Sequence, residues 1–537
     1  MDNNGLSYTD AFKAEPRELF SITARDNVFS LVTLAAAVFL AVFGIFGGFA
    51  LGYSIASTFL IILFTAYFAK HGRIRFFALV YGLLALTSNA VYICTTNEQV
   101  RFCSVVTGLL LSLFCFNGII NGSTSGNRRT LGIFYSAASA VANIDISVKS
   151  LFAGDKSKKK TVGKVLLGLL CAAPVLIIVV PLLISSDDAF RGMMTKIFDN
   201  TFTTLLKAAV GLAICPYLIS YGLSLRSGKL AKIKESEFKG IEGVYLVSFM
   251  STICACYLLY LFSQLAYFFS AFSGFLPNGE ITYAEYARKG FFEMCIIAVI
   301  NLAVVFGVMI LAKKENGKVS HSIKALATFV SLFTMTIIAT AVSKMVLYID
   351  TYGMTVLRIT TSAFMLFLSI VFISVILRIY ISRINIIKTA VISAGCIVLI
   401  LGIFNVNAVC ARYNYESYKS GRLDYIDVEG LYELGHEGIP YIVKLADEEG
   451  TDISNDAKKL LARAYLFDYF DNMDDATEFT VDDLRKNQRD NGFEHYSIPQ
   501  ANAYKCLYEY IEKDPSFSEK CQTFFTTNEK DYYRINW

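Results

Sequence analysis

The sequence carries little charge for its length. Of its 537 residues only 18% are Asp, Glu, Lys or Arg, while 55% are hydrophobic. A soluble globular protein carries about 25% charged residues, so this composition excludes an ordinary soluble domain. The apolar residues stand in runs of roughly twenty, the length at which a helix crosses about 30 Å of hydrocarbon. The sequence therefore predicts an all-α, polytopic α-helical membrane protein.

Histidine is scarce and the common catalytic motifs are missing. The four histidines form no i, i+4 pair and adjoin no cysteine pair, which argues against a zinc or iron site. The sequence contains no G-x-x-x-x-G-K-[ST], no H-E-x-x-H and no G-x-S-x-G, which excludes the usual ATPases, zinc proteases and serine hydrolases. We expect no metal, no cofactor and no catalytic residue. A membrane-embedded enzyme that uses carboxylates for acid–base chemistry is the third functional class, after the two discussed below.

The twelve cysteines do not by themselves predict disulfides. Most fall inside apolar runs, where a cysteine behaves as a small apolar residue. Cys410, Cys506 and Cys521 fall in the C-terminal region, where three cysteines allow at most one bridge, and Cys94 and Cys103 flank a short connection and could also meet. The sequence leaves these bridges open.

Eleven apolar segments are long enough to cross a membrane. Gly47 and Gly48 alone separate the first two, which predicts a tight helical hairpin, and the seventh is long enough to tilt or to extend past the membrane. The segments cover residues 28–46, 49–69, 76–94, 102–120, 162–184, 201–223, 243–273, 291–312, 323–348, 355–377 and 385–405.

Charge divides the chain into a basic part and an acidic part. Residues 407–537 contain 15 Lys and Arg against 26 Asp and Glu, a net charge of −11, which leaves +15 on the other 406 residues. This split predicts an N-terminal segment over 1–27, a transmembrane domain over 28–406 and an acidic helical domain over 407–537. Five acidic groups before the first span argue against a cleavable signal peptide.

Alternate connections between the spans are rich in Lys and Arg, such as the one that contains Lys158–Lys160. By the positive-inside rule this alternation predicts a cytoplasmic N-terminus. With an odd number of spans, the C-terminal domain is then extracytoplasmic. An error of one span, for which the long seventh segment is the main risk, would reverse the side of that domain.

Residues 131–153 are apolar but interrupted by Asn143, Asp145 and Lys149. On a helix these three could share one side, with four apolar residues on the other: Ile144, Val148, Leu151 and Phe152. With the basic "KSKKK" that follows, this pattern is typical of an amphipathic helix in the cytoplasmic membrane interface. The alternative is a disordered basic linker.

The C-terminal region shows helical periodicity and no alternating strand pattern. Within Asn455–Phe470 an apolar stripe contains Leu460, Leu461, Ala464 and Phe467. Ser497–Asp514 opens with a Ser-x-Pro helix start and places Ala503, Cys506, Leu507 and Tyr510 at helical spacing. We predict a small helical domain that serves binding or packing.

Charged residues gather at the ends of spans that the predicted orientation places on the outer face. Opposite charges recur there at i, i+3 and i, i+4, and acid–base pairs that face a bundle interior often mark a substrate or ion path. In the alternative interpretation the tyrosines form an interfacial belt and the cations reach for lipid phosphates. The candidate polar site comprises Asp187, Asp188, Arg191, Tyr283, Glu285, Arg288, Glu293, Lys344, Asp350 and Arg358.

Lys207 is a separate intramembrane charge, about two turns inside the sixth predicted span. Its long stem could reach the outer surface, as lysines near helix ends commonly do. Otherwise it needs a carboxylate partner, and Asp187 or Asp188 on the preceding connection is a plausible one.

Four stretches together resemble a known family: "PLLISSDDAF" (Pro181–Phe190), "ITYAEYARKGFFEM" (Ile281–Met294), "YGMTVLRI" (Tyr352–Ile359) and "NVNAVCARYN" (Asn405–Asn414). In this order they are similar to bacterial multi-pass membrane proteins grouped as domains of unknown function 4153 and 4173, over roughly residues 160–450. The resemblance implies a membrane architecture and a bacterial source, and hence a bacterial plasma membrane. It assigns no catalytic residue.

The leading functional hypothesis is transport, or another envelope-related handling, of a small polar molecule or ion through the outer-facing polar site. The competing hypothesis is a membrane sensor or scaffold whose C-terminal domain binds an envelope partner. Both hypotheses require the lipid bilayer, and no feature indicates a nucleic acid partner. The sequence leaves the oligomeric state open.

Overall fold

A computed structural model describes residues 22–122, 127–151, 172, 175, 179, 201–228, 240–273, 291–313, 319–381, 383–448, 450–465 and 492–526. Within these ranges every regular element is a helix, and only an isolated bridge joins Ile241 to Ala312. The predicted all-α class is confirmed. Its physical reason is that a long apolar run can satisfy its backbone hydrogen bonds within a membrane only as a helix or as part of a closed barrel.

Ten helical segments within the described ranges are long and apolar enough to cross a membrane. They coincide with ten of the eleven predicted segments; the other, 162–184, lies outside the described residues. The helices that form them are α1 (Ala24–Phe39, continued by a π-helical turn Leu40–Ile45), α2 (Leu51–Ala69), α3 (Phe76–Ser88), α4 (Val91–Cys94), α5 (Glu98–Ile120), α8 (Thr201–Ser227), α9 (Gly243–Ser273), α10 (Phe291–Leu311), α11 (His321–Tyr352), α12 (Val356–Tyr380) and α13 (Ile386–Ile403).

The remaining helices are shorter or more polar. Two lie between α5 and α8, and six follow α13. They are α6 (Asn127–Ala142), α7 (Asp145–Leu151), α14 (Val406–Lys419), α15 (Val428–Glu433), α16 (Ile439–Ala446), α17 (Asp452–Arg463), α18 (Ile498–Lys513) and α19 (Pro515–Thr526).

The chain packs as two units. The first contains Met1–Ile93, Cys103–Ile233 and Asn491–Ser497, and the second contains Cys94–Phe102, Lys234–Asp490 and Ile498–Trp537. These units cut across the predicted division into an N-terminal segment, a transmembrane domain and a C-terminal domain, and that division stays a prediction.

In the first unit, α1 packs along α8. Gly211 of α8 permits this close approach, because a Cβ atom there would lie 2.6 Å from the Cα of Val38. Small residues let membrane helices pack backbone to backbone in this way. The Phe29 ring of α1 stacks on Tyr67 of α2 with centroids 3.9 Å apart, which shows that the predicted α1–α2 hairpin is present.

Helices α6 and α7 also pack against α8. They contain most of residues 131–153, the segment predicted to be an amphipathic helix in the membrane interface. Their buried positions are mostly small, such as Ser139, Ala140 and Ser150, rather than the large apolar side predicted from the sequence. Ser220 of α8 donates to the Ala140 carbonyl at 2.6 Å. The contact face is therefore a close polar packing surface, and the placement of this segment in the membrane interface stays a prediction.

In the second unit, α9, α10, α11 and α12 form a bundle with two apolar clusters. One cluster centres on Met250, Val305 and Ala327, and the other on Ala298, Ala341 and Phe372. Helix α13 packs on α12. The second cluster contains Met294, Met345 and Met365, each near the helix end at which the candidate charges lie.

The helices after α14 have an apolar interior of their own. Helix α16 packs against α17 and α18. The predicted stripe is confirmed at Leu460, Leu461 and Ala464, which are all buried, while Phe467 lies outside the described residues. On α18, Ala503, Leu507 and Tyr510 are buried and Cys506 is half-buried.

Candidate functional site

Three consecutive antiparallel helices of the second unit bring four of the predicted charges to one end of the bundle. Glu293 lies in the first turn of α10, Lys344 and Asp350 lie near the end of α11, and Arg358 lies in the first turn of α12. Lys344 is half-buried and interacts electrostatically with Glu293 of the neighbouring helix. Since a lysine within an apolar span is costly, an acidic neighbour is the expected compensation.

Arg358 is held by the turn between α11 and α12. Its guanidinium lies 4.0 Å from the ring centroid of Tyr348, within the range of a cation–π interaction. It also donates hydrogen bonds to the carbonyl of Tyr352, at 3.1 Å, and to that of Gly353. Arginine is suited to this position because its planar group can stack and donate several hydrogen bonds at the same time.

The side-chain amide of Asn414, in α14, binds the backbone of the same turn, and we call this contact the Asn414 clamp. Asn414 accepts from the Met354 amide at 2.7 Å and donates to the Met354 carbonyl at 2.8 Å, as a backbone strand would. The neighbouring Tyr413 hydroxyl lies 3.5 Å from an Asp350 oxygen. The stretches "YGMTVLRI" and "NVNAVCARYN", which are about 50 positions apart in the chain, therefore meet.

The other candidate site residues lie outside the described residues. This holds for Asp187, Asp188, Arg191, Tyr283, Glu285 and Arg288. Lys207 is half-buried, and its ammonium lies 5.9 Å from the ring centroid of Phe46. Its proposed carboxylate partners are among the residues that are not described.

A polar chain in the middle of the bundle was missed from the sequence. The Tyr257 hydroxyl donates to Asn301 Oδ1 at 2.5 Å, and Asn301 Nδ2 donates to the Thr334 hydroxyl at 2.9 Å. Asn301 is buried, and Tyr257 stacks on Phe333 with centroids 4.1 Å apart. Such a chain links α9, α10 and α11, because polar side chains in a membrane bundle satisfy one another across helices. A single Asn within the apolar run of α10 was its only sequence signal.

A buried ion pair in the first unit was also missed. The carboxylate of Asp26, in the first turn of α1, is fully buried and accepts from Arg226 in the last turn of α8. The Tyr67 hydroxyl donates to the same carboxylate at 2.7 Å, and the Thr23 amide and hydroxyl donate at 2.8 Å. The pair ties the beginning of α1 to the end of α8 and to α2. Asp26 stood out in the sequence only as one acidic residue before the first predicted span.

A third cluster joins the connection between α4 and α5 to the C-terminal region, within the second unit. The Glu437 carboxylate, whose residue is 4% exposed, accepts from the Thr96 amide at 2.9 Å, the Thr96 hydroxyl at 2.6 Å and Asn405 Nδ2 at 3.0 Å. Asn405 has a left-handed backbone, with φ 51°, and also donates to the Cys94 carbonyl at 2.8 Å. We call this cluster the Glu437 latch.

A second pair of contacts reinforces the Glu437 latch. Asn97 donates to Asn407 Oδ1 at 2.8 Å, and Asn407 donates to the Leu434 carbonyl at 2.9 Å. Each buried polar atom named in this cluster has a hydrogen-bond partner. A buried carboxylate that accepts three hydrogen bonds, beside side-chain amides that bond to each other, typically serves to hold two segments of a protein together.

Among the described residues, no group of three or more His, Cys, Asp or Glu is placed to hold a metal ion. The eleven described cysteines are free thiols, and they include all the members of the open disulfide possibilities: Cys94, Cys103, Cys410, Cys506 and Cys521. Burial raises the pKa of the Cys410 thiol to about 12, although nearby Arg358 opposes this rise. Cys410 is therefore a buried thiol that stays protonated at neutral pH, the form that is not nucleophilic.

Comparison with known proteins decides the family. The model of the family described as Domain of unknown function (DUF4153) matches residues 58–445, which is more than half of the chain. The chain belongs to this family. No curated protein and no solved structure matches it.

The family match is wider than the resemblance read from the sequence, because it includes the spans from α2 onward. It contains the charged cluster of α10, α11 and α12 and the whole Glu437 latch. Asp26 of the buried ion pair precedes it, and α17, α18 and α19 follow it. Together with the ten long apolar helices in the described residues, the match indicates an integral membrane protein with a domain of unknown function, and it assigns no reaction.

Proposed function

We propose that this protein transports, or otherwise handles at the cell envelope, a small polar molecule or ion through a polar site at the ends of α10, α11 and α12. The observation that carries this proposal is Lys344, a half-buried cation in the apolar helix α11 with Glu293 as its acidic neighbour. Ionisable residues inside membrane bundles commonly mark the path of a substrate or ion.

In this proposal the two signs of charge have separate roles. Lys344 would bind an anionic group of the ligand, and Glu293 and Asp350 would bind a cationic group or relay protons. Arg358 would shape the site, because its guanidinium is already bonded to backbone carbonyls. The other six candidate residues, Asp187, Asp188, Arg191, Tyr283, Glu285 and Arg288, lie outside the described residues.

The test is whether water reaches position 344. Lys344→Cys and Val346→Cys lie at similar depth on α11, and Val346 is 52% exposed on the bundle surface, where lipid would cover it. In membrane vesicles we expect an impermeant, charged thiosulfonate to modify Lys344→Cys at least about tenfold faster than Val346→Cys, since only a hydrated thiol ionises and reacts. Labelling of the parent chain sets the background.

Equal rates at the two positions, or no labelling of Lys344→Cys above the parent, would exclude a water-filled site there. Lys344 would then be a lysine that reaches for the interface from a lipid-covered helix. We further propose a bacterial plasma membrane, on the support of the family resemblance, and a cytoplasmic N-terminus, on the support of the alternating basic connections. In vesicles of known orientation, the same labelling experiment reports the side of the membrane from which position 344 is reached.

A second candidate function is a membrane sensor or scaffold whose region 407–537 binds an envelope partner. The Asn414 clamp favours it, because it couples the α11–α12 turn directly to α14, which leads into the C-terminal helices. Photo-crosslinking from exposed Tyr425 in the full-length chain separates the two functions. A scaffold should yield a crosslinked partner there, whereas a transport protein should show the labelling difference between positions 344 and 346 without such a partner.

A further inference from the structure

The connection between α2 and α3, in the first unit, presents three cations on its surface. It comprises Lys70–Arg75, and we call it the basic turn. The side chains of Lys70, Arg73 and Arg75 are exposed, and the turn contains no Asp or Glu. Among the ion pairs of the described residues, none includes these three cations.

The backbone of the basic turn is bonded to the helices on either side of it. The Arg73 amide donates to the Ile119 carbonyl of α5 at 3.1 Å, and the amides of His71 and Gly72 both donate to the Phe68 carbonyl at 2.9 Å. Gly72 permits the approach to α5, because a Cβ atom there would lie 2.3 Å from the Ile119 oxygen. The cations therefore stand on a preorganised backbone, which lowers the entropy lost when a ligand binds.

The carboxylate of Asp26 does not compensate the charge of the basic turn. Tyr67, three positions before the turn, donates to this carboxylate at 2.7 Å. Asp26 is fully buried and already pairs with Arg226, so its charge is matched. Arg25, next to Asp26 in the chain, is exposed and adds a further cation at this end of the unit.

Exposed apolar side chains alternate with these cations and follow them in the chain. Ile74 and Phe77 are exposed, and Phe76, the first residue of α3, is 73% exposed. A soluble anion would leave these apolar surfaces in water. A phospholipid offers a phosphate to the cations and acyl chains to the neighbouring apolar groups, and aromatic side chains are enriched at the level where the two meet.

We propose that the basic turn binds the headgroup of an anionic phospholipid. Arg73 and Arg75 would donate paired hydrogen bonds to the phosphate oxygens, which suits the planar guanidinium, and Lys70 would add positive charge. Phe76 would contact the acyl chains. A lipid with net negative charge is favoured over phosphatidylcholine, because the ammonium group of phosphatidylcholine already balances its phosphate. This site is separate from the polar site of α10, α11 and α12.

The test is a lipid titration of the full-length protein in detergent, with the retained lipids counted by native mass spectrometry. We expect the parent to retain phosphatidylglycerol more tightly than phosphatidylcholine. The double variant Arg73→Gln, Arg75→Gln should bind phosphatidylglycerol at least about tenfold more weakly, since each cation at an anionic lipid surface is worth a factor of about five. Phe76→Ala should weaken retention as well.

The matched control is Arg412→Gln, Lys505→Gln, which removes two exposed cations elsewhere and should leave retention unchanged. An equal loss in this control, or equal retention of the two lipids by the parent, would overturn the proposal. Displacement of phosphatidylglycerol by excess inorganic phosphate would also overturn it, because the turn would then be a site for a free anion.

Only variants whose unfolding temperature without added lipid stays within about 3 °C of the parent are scored. If the arginine double variant fails this criterion, Lys70→Gln, Arg73→Gln replaces it, with the same expected loss. The structure tolerates this second pair because both side chains are exposed.

Discussion

At the scale of single residues, the described part of this protein contains a buried ion pair whose members the sequence does not show to be partners. Asp26 and Arg226 are 200 positions apart and meet in a buried pair. Removing one member of such a pair leaves an uncompensated charge, whereas replacing both by uncharged groups is often nearly neutral. The two kinds of variant therefore distinguish a buried ion pair from a surface one.

We predict that Arg226→Met lowers the free energy of unfolding by about 3 kcal/mol, the lower end of the range for a buried pair, since the Arg226 side chain is 18% exposed. The double variant Asp26→Asn, Arg226→Met should recover most of that loss. Thermal unfolding in detergent measures both changes. The control is Lys149→Met, which breaks a surface pair with side chains 59% exposed and should cost less than about 1 kcal/mol. Equal losses for Arg226→Met and Lys149→Met would refute the prediction.

Glu437 allows a second test at the same scale. Glu437→Ala removes the acceptor for the Thr96 amide, the Thr96 hydroxyl and Asn405, so it should cost about 3 kcal/mol. Glu437→Gln keeps one carbonyl oxygen, and the Thr96 hydroxyl can rotate to accept from the new amide, so this variant should lose about 1 kcal/mol. Denaturation of the purified protein compares the two variants. A Gln variant as damaged as the Ala variant would show that the carboxylate charge, rather than its hydrogen bonds, holds the latch.

At the scale of elements, the turn between α11 and α12 depends on Gly353. Its φ is +77°, and a Cβ atom there would lie 2.7 Å from Asn414 Oδ1, so an alanine is opposed both by the backbone and by the clamp. Gly421 has a similar φ of +69° and open space around it, so it is a control for the cost of a positive φ; Gly353 also has a ψ of −176°, a combination that is essentially restricted to glycine.

We predict that Gly421→Ala costs about 1 kcal/mol, the cost of a left-handed residue, and that Gly353→Ala costs at least about 2 kcal/mol. The difference should shrink in an Asn414→Ala background, because the clash is then absent while the backbone cost remains. A double-mutant cycle from thermal unfolding gives this coupling free energy. If Gly353→Ala were no worse than Gly421→Ala, the proposed clamp on this turn would lose its support.

At the scale of the whole molecule, the reactivity of two buried thiols reports whether the second unit is folded. Burial raises the pKa of Cys410 to about 12 and also raises that of Cys521, so both thiols stay neutral well above pH 8 in the folded protein. Only the thiolate reacts with alkylating reagents at a useful rate. Both residues are fully buried, which blocks access as well.

We predict that Cys410 and Cys521 resist iodoacetamide at pH 8 until the second unit unfolds, and that both then react at the rate of an ordinary thiol. Quantitative mass spectrometry of labelled peptides across a denaturant series measures this protection. Tyr425→Cys, at a position 71% exposed, is the control that should react without denaturant. Rapid labelling of Cys410 in the native protein would mean that α14 separates from its neighbours under native conditions.

The sequence by itself determined the membrane-spanning helices within the described residues, together with the apolar stripes of the C-terminal helices. Hydropathy and helical periodicity are sums over about twenty neighbouring residues, so the local sequence contains all the information that they need. Only the tertiary structure decided which polar residues meet. The pairing of Thr96 with Glu437, 341 positions apart, depends on which helix faces pack together, and no local pattern specifies that. For the same reason the sequence did not show that Asn414 contacts Met354 or that Asp26 pairs with Arg226. The charges of α10, α11 and α12 could be grouped in advance, because they stand at the ends of consecutive predicted spans on one predicted face.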